Sequence, residues 1–396
     1  MSEVAERAVQ AALNGQMTYC KFLSANDTGV TGGHQSGIYV AKQAVPIIFD
    51  VPGRRGENKK RLVKVKWQDG SVTESCFTYY GKGSRNEYRI TRFGKGFPFL
   101  QPEYTGALFV FVKDAPEDYR GFFLNTEEEI DAFLGAFDLS PSDTNNLIKS
   151  STYVSSESES HIDVEAAIKD YIAGISDDYF SDEDLSYAAR SIQSELFHDD
   201  ALAIINPDKM LLDWSAIEYK LSRELEENLY GNRAMESFEA ADDTSSSARE
   251  RLARRRDRAS SSFVHHLEAI FDANGIEYDS QVHTEGRNRA DFLFPSAMAY
   301  YDESFSIDDL VFLGAKTTCK DRWRQVLSEA DRFKGRSIYL CTMQQGISAA
   351  QMDEMQSEHV TLVVPKDYHK SYPRACRDRL WTVKQFVDYV QAAEGK

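Results

Sequence analysis

Three residues in the second half of the chain have the types and spacing needed to hydrolyse a phosphodiester with the help of a metal ion. Asp291 opens the apolar run Asp291–Phe294, Lys316 ends the run Leu310–Lys316, and Glu329 lies thirteen residues further on. Such hydrolysis needs carboxylates to hold Mg²⁺ and a cation beside the attacking water and the scissile phosphate. If the two runs are neighbouring strands, Asp291 and Lys316 converge on one point. A helix folding back over the sheet would then bring Glu329 to the same place. In nucleases built this way the second carboxylate usually sits two residues before the lysine, and Gly314 occupies that position here. An Asp before a strand and a Lys after one also occur in many α/β domains, so spacing alone leaves both readings standing.

Lys320, Asp321, Arg322 and Arg324 follow Lys316 and open the next predicted helix. Arginine can donate two hydrogen bonds to guanine O6 and N7, and aspartate can accept one from cytosine N4. A short run holding both types can read G·C pairs beside a cleavage centre. The plainer reading is a charged helix start that Trp323 anchors to the core.

The elements that must position these residues read as an α/β unit from residue 259 onward. A helix is expected over Ser260–Asn274, with Phe263, Leu267, Ile270 and Phe271 on one face and Gly275 at its end. Strands are expected at Phe292–Phe294, Leu310–Leu313, Ile338–Cys341 and Val360–Val364, and helices at Asp321–Phe333 and Ala349–Gln356. Alternation of this kind builds a central sheet with helices packed on it. Residues 163–236 read as mostly helical, and AADDTSSSARE near 240 reads as a loop.

The first half is different. After an amphipathic helix over residues 1–15, Leu62–Trp67 and Val72–Tyr79 alternate across Asp69-Gly70, a hairpin signal. Ala107–Val112 is a buried strand and Thr126–Phe137 a helix with an acidic first turn that suits its dipole. Between 141 and 162 the composition shifts to Ser, Asp, Asn and Glu, too polar to fold, which reads as a linker. The division expected is therefore residues 1–140 as a β-rich domain, 141–162 as a linker, and 163–396 as an α/β domain with a helical lead-in.

A chain of 396 residues is long enough for two such cores. The five cysteines never stand at CxxC spacing, so they form neither a zinc signature nor a disulfide framework. No apolar run reaches the roughly 18 residues a membrane span needs, and the chain reads as cytosolic with no membrane partner. The net charge of −17 argues against a nucleic-acid partner at first sight. Cations nevertheless cluster locally, in Arg54–Lys66, in Arg85–Lys95, and in Arg249–Arg258 with six arginines against two acids. Affinity for DNA depends on where cations gather rather than on their total, although solvated faces explain such clusters equally well.

Longer segments carry a resemblance. GRNRADFLFPSAMAYYDESF and LGAKTTCKDRWRQVLSEADRF resemble the catalytic core of the EcoRII-like type II restriction endonucleases. SANDTGVTGGHQSGIYV and RNEYRITRFGKG resemble the N-terminal domain of the same family. The resemblance implies a PD-(D/E)xK core, with a mixed sheet flanked by helices, beside a β-rich pseudobarrel similar to plant B3 domains. It implies Mg²⁺-dependent cleavage of duplex DNA at a CCWGG-like sequence. It further implies a homodimer working beside a cognate methyltransferase, held inactive by the N-terminal domain until that domain binds a second copy of the target.

Residue by residue, the resemblance makes Asp291 and Glu329 the Mg²⁺ ligands, with Glu329 replacing the carboxylate absent at Gly314, and Lys316 the group that positions water. Glu268 matches an acidic residue near the family's site. Lys320, Asp321, Arg322 and Arg324 match the segment that reads the outer C·G pairs. His34, Tyr39, Arg85, Glu87 and Arg89 match the effector-DNA contacts, with Tyr88 replacing a basic residue. The family also flips its central base pair into pockets made by an arginine and an aromatic. Tyr219 matches the aromatic, Ser215 stands in the arginine's place, and Trp214 offers a stacking face or simply packs its helix. Two other readings remain beside this one. One is a DNA-binding regulator on an inert nuclease-like scaffold, and the other is a structure-directed repair nuclease that does not need Lys320–Arg324.

Overall fold

Several strands of the first half carry apolar side chains on both faces, and each face has its own core. In this computed structural model, which describes residues 2–30, 37–148, 159–174, 181–230, 246–284, 288–329 and 331–395, eight strands form one sheet. They are β1 Met17–Phe22, β2 Ile38–Val40, β3 Lys59–Trp67, β4 Val72–Tyr80, β5 Glu87–Thr91, β6 Leu108–Lys113, β7 Asp118–Leu124 and β8 Asn146–Ile148. Their order is β2-β5-β4-β3-β7-β6-β1-β8, with β3 and β7 parallel and every other pair antiparallel. Phe109, Phe111 and Phe123 face an aromatic core with Trp67 and Phe77. Leu108, Val110, Val112 and Leu124 face helices α1 Glu3–Asn14 and α2 Glu127–Ala136. Burial on both faces is why this stretch reads as a continuous apolar run rather than as an alternating one.

The expected hairpin is present, turning at Gly70 with φ of 82°. The stretch expected to be a linker differs at both ends. Asn146–Ile148 joins the sheet as β8, because Leu147 and Ile148 each find an apolar core to cover. Helix α3 Glu159–Ala173 begins before residue 163, and 149–158 lie outside the described residues.

The helical lead-in continues with α4 Asp182–Phe197, started by a capping box between Ser181 and Asp184, and α5 Pro207–Tyr230. Most of the loop expected near 240 lies outside the described residues; from Ser246 the chain is already helical in α6 Ser246–Ala273, well upstream of the expected start at Ser260. Five strands then form the second sheet: β9 Asp279–His283, β10 Arg289–Phe294, β11 Val311–Lys316, β12 Ile338–Thr342 and β13 Val360–Val363. β9, β10 and β11 are antiparallel, and β11, β12 and β13 are parallel. Phe263, Leu267 and Phe271 of α6 cover one face, with α8 Val383–Ala393. Trp323, Val326 and α7 Ala349–Ser357 cover the other. Among the described residues no helix is long and apolar enough to cross a membrane.

The helix expected over Asp321–Phe333 is a correction. Among the described residues of this stretch only Trp323–Val326 is α-helical, and Asp331–Phe333 forms a separate 3₁₀ turn. The carbonyls of Ser328 and Glu329 accept side-chain hydrogen bonds from Asn288 and Thr284, so they are not left to continue a helix.

The two halves meet at several places, among them two of different kinds. The N-terminal end of α2 meets Thr318–Arg322 through charged and polar contacts. Elsewhere backbone meets backbone: Ala25 donates to the Ser371 carbonyl at 2.9 Å, and Gly106 (φ 81°) lies against Gly346 (φ 106°). A Cβ on Gly106 would sit 2.0 Å from the Gly346 carbonyl oxygen.

Candidate active site

Pairing of β10 with β11 puts Phe292 opposite Leu313, which carries Asp291 and Lys316 to the same face of the sheet. Lys316 Nζ lies 2.8 Å from Asp291 Oδ2 and 3.4 Å from Glu329 Oε1. Asp291 also accepts from the Ala315 amide at 2.8 Å and from Gln281 Nε2 at 3.0 Å. Gly314 explains why Glu329 is needed. A Cβ at Gly314 would lie 3.0 and 3.1 Å from the two methyls of Val326, so the space for a side chain there is filled. Glu329, three residues after Val326, reaches Lys316 from the loop instead.

Burial pushes the Glu329 carboxyl above its usual range, the Asp291 charge adds to this, and Lys316 opposes it. Burial acts to lower the Lys316 ammonium, but the charges of Asp291 and Glu329 prevail and hold it up. Lys316 is therefore a fixed cation flanked by two acids. Glu329 Oε2 is buried with no hydrogen-bond partner, which leaves a hard oxygen donor free beside Asp291. Among the described residues no cluster of three or more His, Cys, Asp or Glu forms a ready metal cage. Two carboxylates suit Mg²⁺, which keeps several waters and takes one or two protein carboxylates together with substrate phosphate.

Gln281 carried no signal in the sequence. It sits in β9 with φ of 53°, and it holds Asp291 through its amide. Groups that orient a metal-binding carboxylate typically matter ten- to a hundredfold in metal affinity. Gln281→Ala is expected to weaken Ca²⁺ binding by about that factor while leaving the fold intact, as calorimetry will show. Unchanged affinity would count against Gln281 as a positioning residue.

The segment that follows is covered by the first half of the chain. Lys320 is only 2% exposed, donates to Asn125 Oδ1, and is drawn by burial down to about 8, against the pull of Asp321 and Glu129. Glu127 accepts from the amides of Asp321 and Arg322 at 3.1 and 2.9 Å, and from Arg322 Nε at 2.9 Å. Asp131 pairs with Arg322 and accepts from Thr318 at 2.8 Å. Arg324 turns away, lying over the Trp323 ring and pairing with Glu354. The acidic first turn of α2 thus has two uses. Glu129 closes a capping box with Thr126, and Glu127 faces Asp321 and Arg322 of the second half.

Residues 222–387 match the family model "EcoRII C terminal", and residues 12–135 match "Restriction endonuclease EcoRII, N-terminal". The type II restriction enzyme EcoRII of Escherichia coli is 33% identical over 399 residues, covering 96% of this chain and 95% of that one. The chain belongs to the EcoRII family of type II restriction endonucleases. As a member of the EcoRII family it binds DNA and cleaves it site-specifically, by chemistry that depends on a divalent metal. Among solved structures, metal-depleted Ecl18kI in complex with uncleaved, modified DNA is 21% identical, covering 59% of this chain and 83% of that one, with a TM-score of 0.42. The complex of restriction endonuclease PspGI with substrate DNA is 13% identical, covering 55% and 92%, with a TM-score of 0.42.

Other residues singled out in this EcoRII-family sequence fall in separate places. Glu268 lines an open cavity on the far end of α6 with Arg190, His265, Asp272 and Tyr278, apart from Asp291 and Lys316. Trp214 is buried against His266, ring centres 5.7 Å apart, with Arg190 over its face. Tyr219 is buried beneath the Arg258 guanidinium, and Ser215 donates to the Leu211 carbonyl of its own helix. In the first half, Tyr39 donates its amide to Asp27, and Arg85 lies over the Tyr80 ring. Arg89 is buried, donates to the Gly37 carbonyl at 3.0 Å and pairs with Glu87. Tyr88 stacks on Tyr79 and accepts from the Gly53 amide, as a core residue does. His34 lies outside the described residues.

Proposed function

We propose that this chain cuts duplex DNA at a CCWGG-like sequence with Mg²⁺, and that its docked N-terminal half restrains cleavage until it binds a second copy of the target. In this reading residues 1–140 bind effector DNA, 141–162 connect, and 163–396 cleave. The enzyme acts as a homodimer beside a methyltransferase that protects the same sequence. The observation that carries the reading is the placement of Glu127 and Asp131 on Arg322, beside the Asp291–Lys316–Glu329 cluster.

Asp291 and Glu329 would hold Mg²⁺, which polarises the phosphate and lowers the pKa of bound water. Lys316, kept charged by its two neighbours, orients the attacking water and stabilises charge gathering on the phosphate oxygens. The Ala315 amide and Gln281 fix the Asp291 carboxylate, so little reorganisation is required of it. Lys320, Asp321 and Arg322 would read the outer pairs once α2 withdraws, and the match of this segment to the family's reader supports CCWGG. Readout of the central pair rests on Tyr219 without an arginine at Ser215, and is the part of the site that departs most from the family.

Digestion of a plasmid carrying several CCWGG sites tests the reading. Discrete fragments ending at CCWGG, formed with Mg²⁺ and not with EDTA, are the expected result. Ends at another sequence would move the specificity, and tight binding without cutting would favour a regulator.

The docked state should also respond to pH. Lys320 stands near 8 when docked and near the ordinary lysine value of ~10.4 when freed. Between these values the docked form holds fewer protons, so docking strengthens as pH rises through about 8. Cleavage of one-site DNA, relative to two-site DNA, is expected to fall up to ~tenfold between about pH 8 and 9. A ratio that stays level or rises would contradict burial of Lys320 as part of the restraint.

A further inference from the structure

The cleft between the two halves has walls of opposite charge. Arg255, Arg256, Arg322 and Lys316 line its catalytic side, and Glu127, Asp131 and Asp138 line the other. Arg255 Nη1 donates to the carbonyls of Gly135 and Ala136 at 2.9 and 3.0 Å, the negative end of the α2 dipole. Its Nε lies 3.2 and 3.1 Å from the two oxygens of Glu226. Arg258, one turn further along α6, is buried, paired with Asp138, and 3.6 Å from Glu226 Oε1.

Burying guanidinium groups is expensive, and apolar side chains of similar volume would dock the halves at least as well. The groups that these arginines meet on the first half are oxygen acceptors, carboxylate or carbonyl. A phosphodiester offers the same acceptors to the same planar donors. Arg255 lines the same cleft as Lys316, and Arg258 lies buried behind it against Asp138, which is itself a lining residue.

We propose that Arg255 and Arg258 bind backbone phosphates of the DNA being cut, and that Asp138 and the C-terminal carbonyls of α2 take the places of those phosphates while the halves are docked. The assignment rests on the reading that DNA is cleaved in this cleft. It makes both arginines sequence-independent contacts, whose share of the affinity comes from counterion release.

The test uses the full chain, a fluorescent duplex without the target sequence, and EDTA, with anisotropy read across a salt series. Arg255→Gln and Arg258→Gln are each expected to reduce the slope of log Kd against log salt by about 0.9, while lysine at either place retains it. Asp138→Asn, which leaves Arg258 in place and removes its competitor, is expected to tighten binding several-fold at low salt. Unchanged slopes in both glutamine variants, with cooperative unfolding like the parent's, would overturn the assignment. If Arg258→Gln does not fold, Asp138→Asn decides, since no gain in affinity also overturns it. Cleavage is read separately with Mg²⁺ on target DNA. A chain that shows the slope changes yet cuts nothing sinks the nuclease reading alone, and one that cuts while its slopes ignore both arginines sinks the assignment alone.

Discussion

Lys316→Ala is expected to abolish DNA cleavage, with single-turnover rates about a thousandfold or more below the parent's, and Asp291→Asn to do the same. The two fail for different reasons. Alanine at 316 removes the cation that neutralises Asp291 and Glu329, leaving two buried carboxylates to repel each other and the incoming phosphate. Asparagine at 291 can keep the hydrogen bond from the Ala315 amide, so the strand edge retains its shape and the loss falls on metal binding. Calcium titration by calorimetry separates them. Asp291→Asn should lose measurable affinity, whereas Lys316→Ala should bind calcium at least as well as the parent. Cleavage within tenfold of the parent in either variant would remove that residue from the catalytic cluster.

Under the proposed restraint, Glu127→Gln with Asp131→Asn is expected to let the enzyme cut without a second target copy. Glu127 accepts two amide hydrogen bonds and the Arg322 Nε, and Asp131 pairs with the same guanidinium and with Thr318. Breaking a fully buried pair from one side costs about 3–5 kcal/mol. Arg322 keeps 36% of its side chain in solvent, so it can rehydrate, and burial holds both carboxyls above their usual range, so the loss falls below that range. About 1.4 kcal/mol still shifts the docking equilibrium by ~10-fold. The measurement is cleavage of a one-site plasmid, with and without an added duplex carrying the target. The double variant should cut at the stimulated rate in both cases. Removal of residues 1 to about 160 should give the same phenotype. Variants that still require the second duplex would rule out this contact as the restraint.

These effects were unequally legible in the sequence. Asp291 and Lys316 could be placed because their strands are neighbours in a short antiparallel pair, and alternation alone fixes which face they share. Glu329 was reached by a different path from the one expected. The segment from Asp321 to Phe333 consists largely of good helix formers, yet its carbonyls are claimed by Asn288 and Thr284, and local propensity yields to that tertiary competition. Gln281 was not legible, because nothing local distinguishes a glutamine that steadies a carboxylate from one facing water. Nor were the partners of the arginines. Arg322 finds Glu127 and Arg258 finds Asp138 across more than a hundred intervening residues, and a charge in a sequence does not name its counterpart. The net charge of −17 takes a different meaning in that light. Part of the acid excess lies against the cations of the cleft rather than in open solvent.

Two of the places where the halves meet differ in kind, and that difference has a mechanical outcome. The α2 contact is ionic, so salt and competing phosphate weaken it. The Gly106–Gly346 contact is made of backbone and the Gln344 side-chain amide, contains no titratable group, and leaves no room for a side chain at 106. Added salt is therefore expected to loosen the ionic contacts and to leave the glycine contact seated. The chain would swing open about its glycine edge as a door does on its hinge, with the N-terminal half still attached beside the cleft it has uncovered.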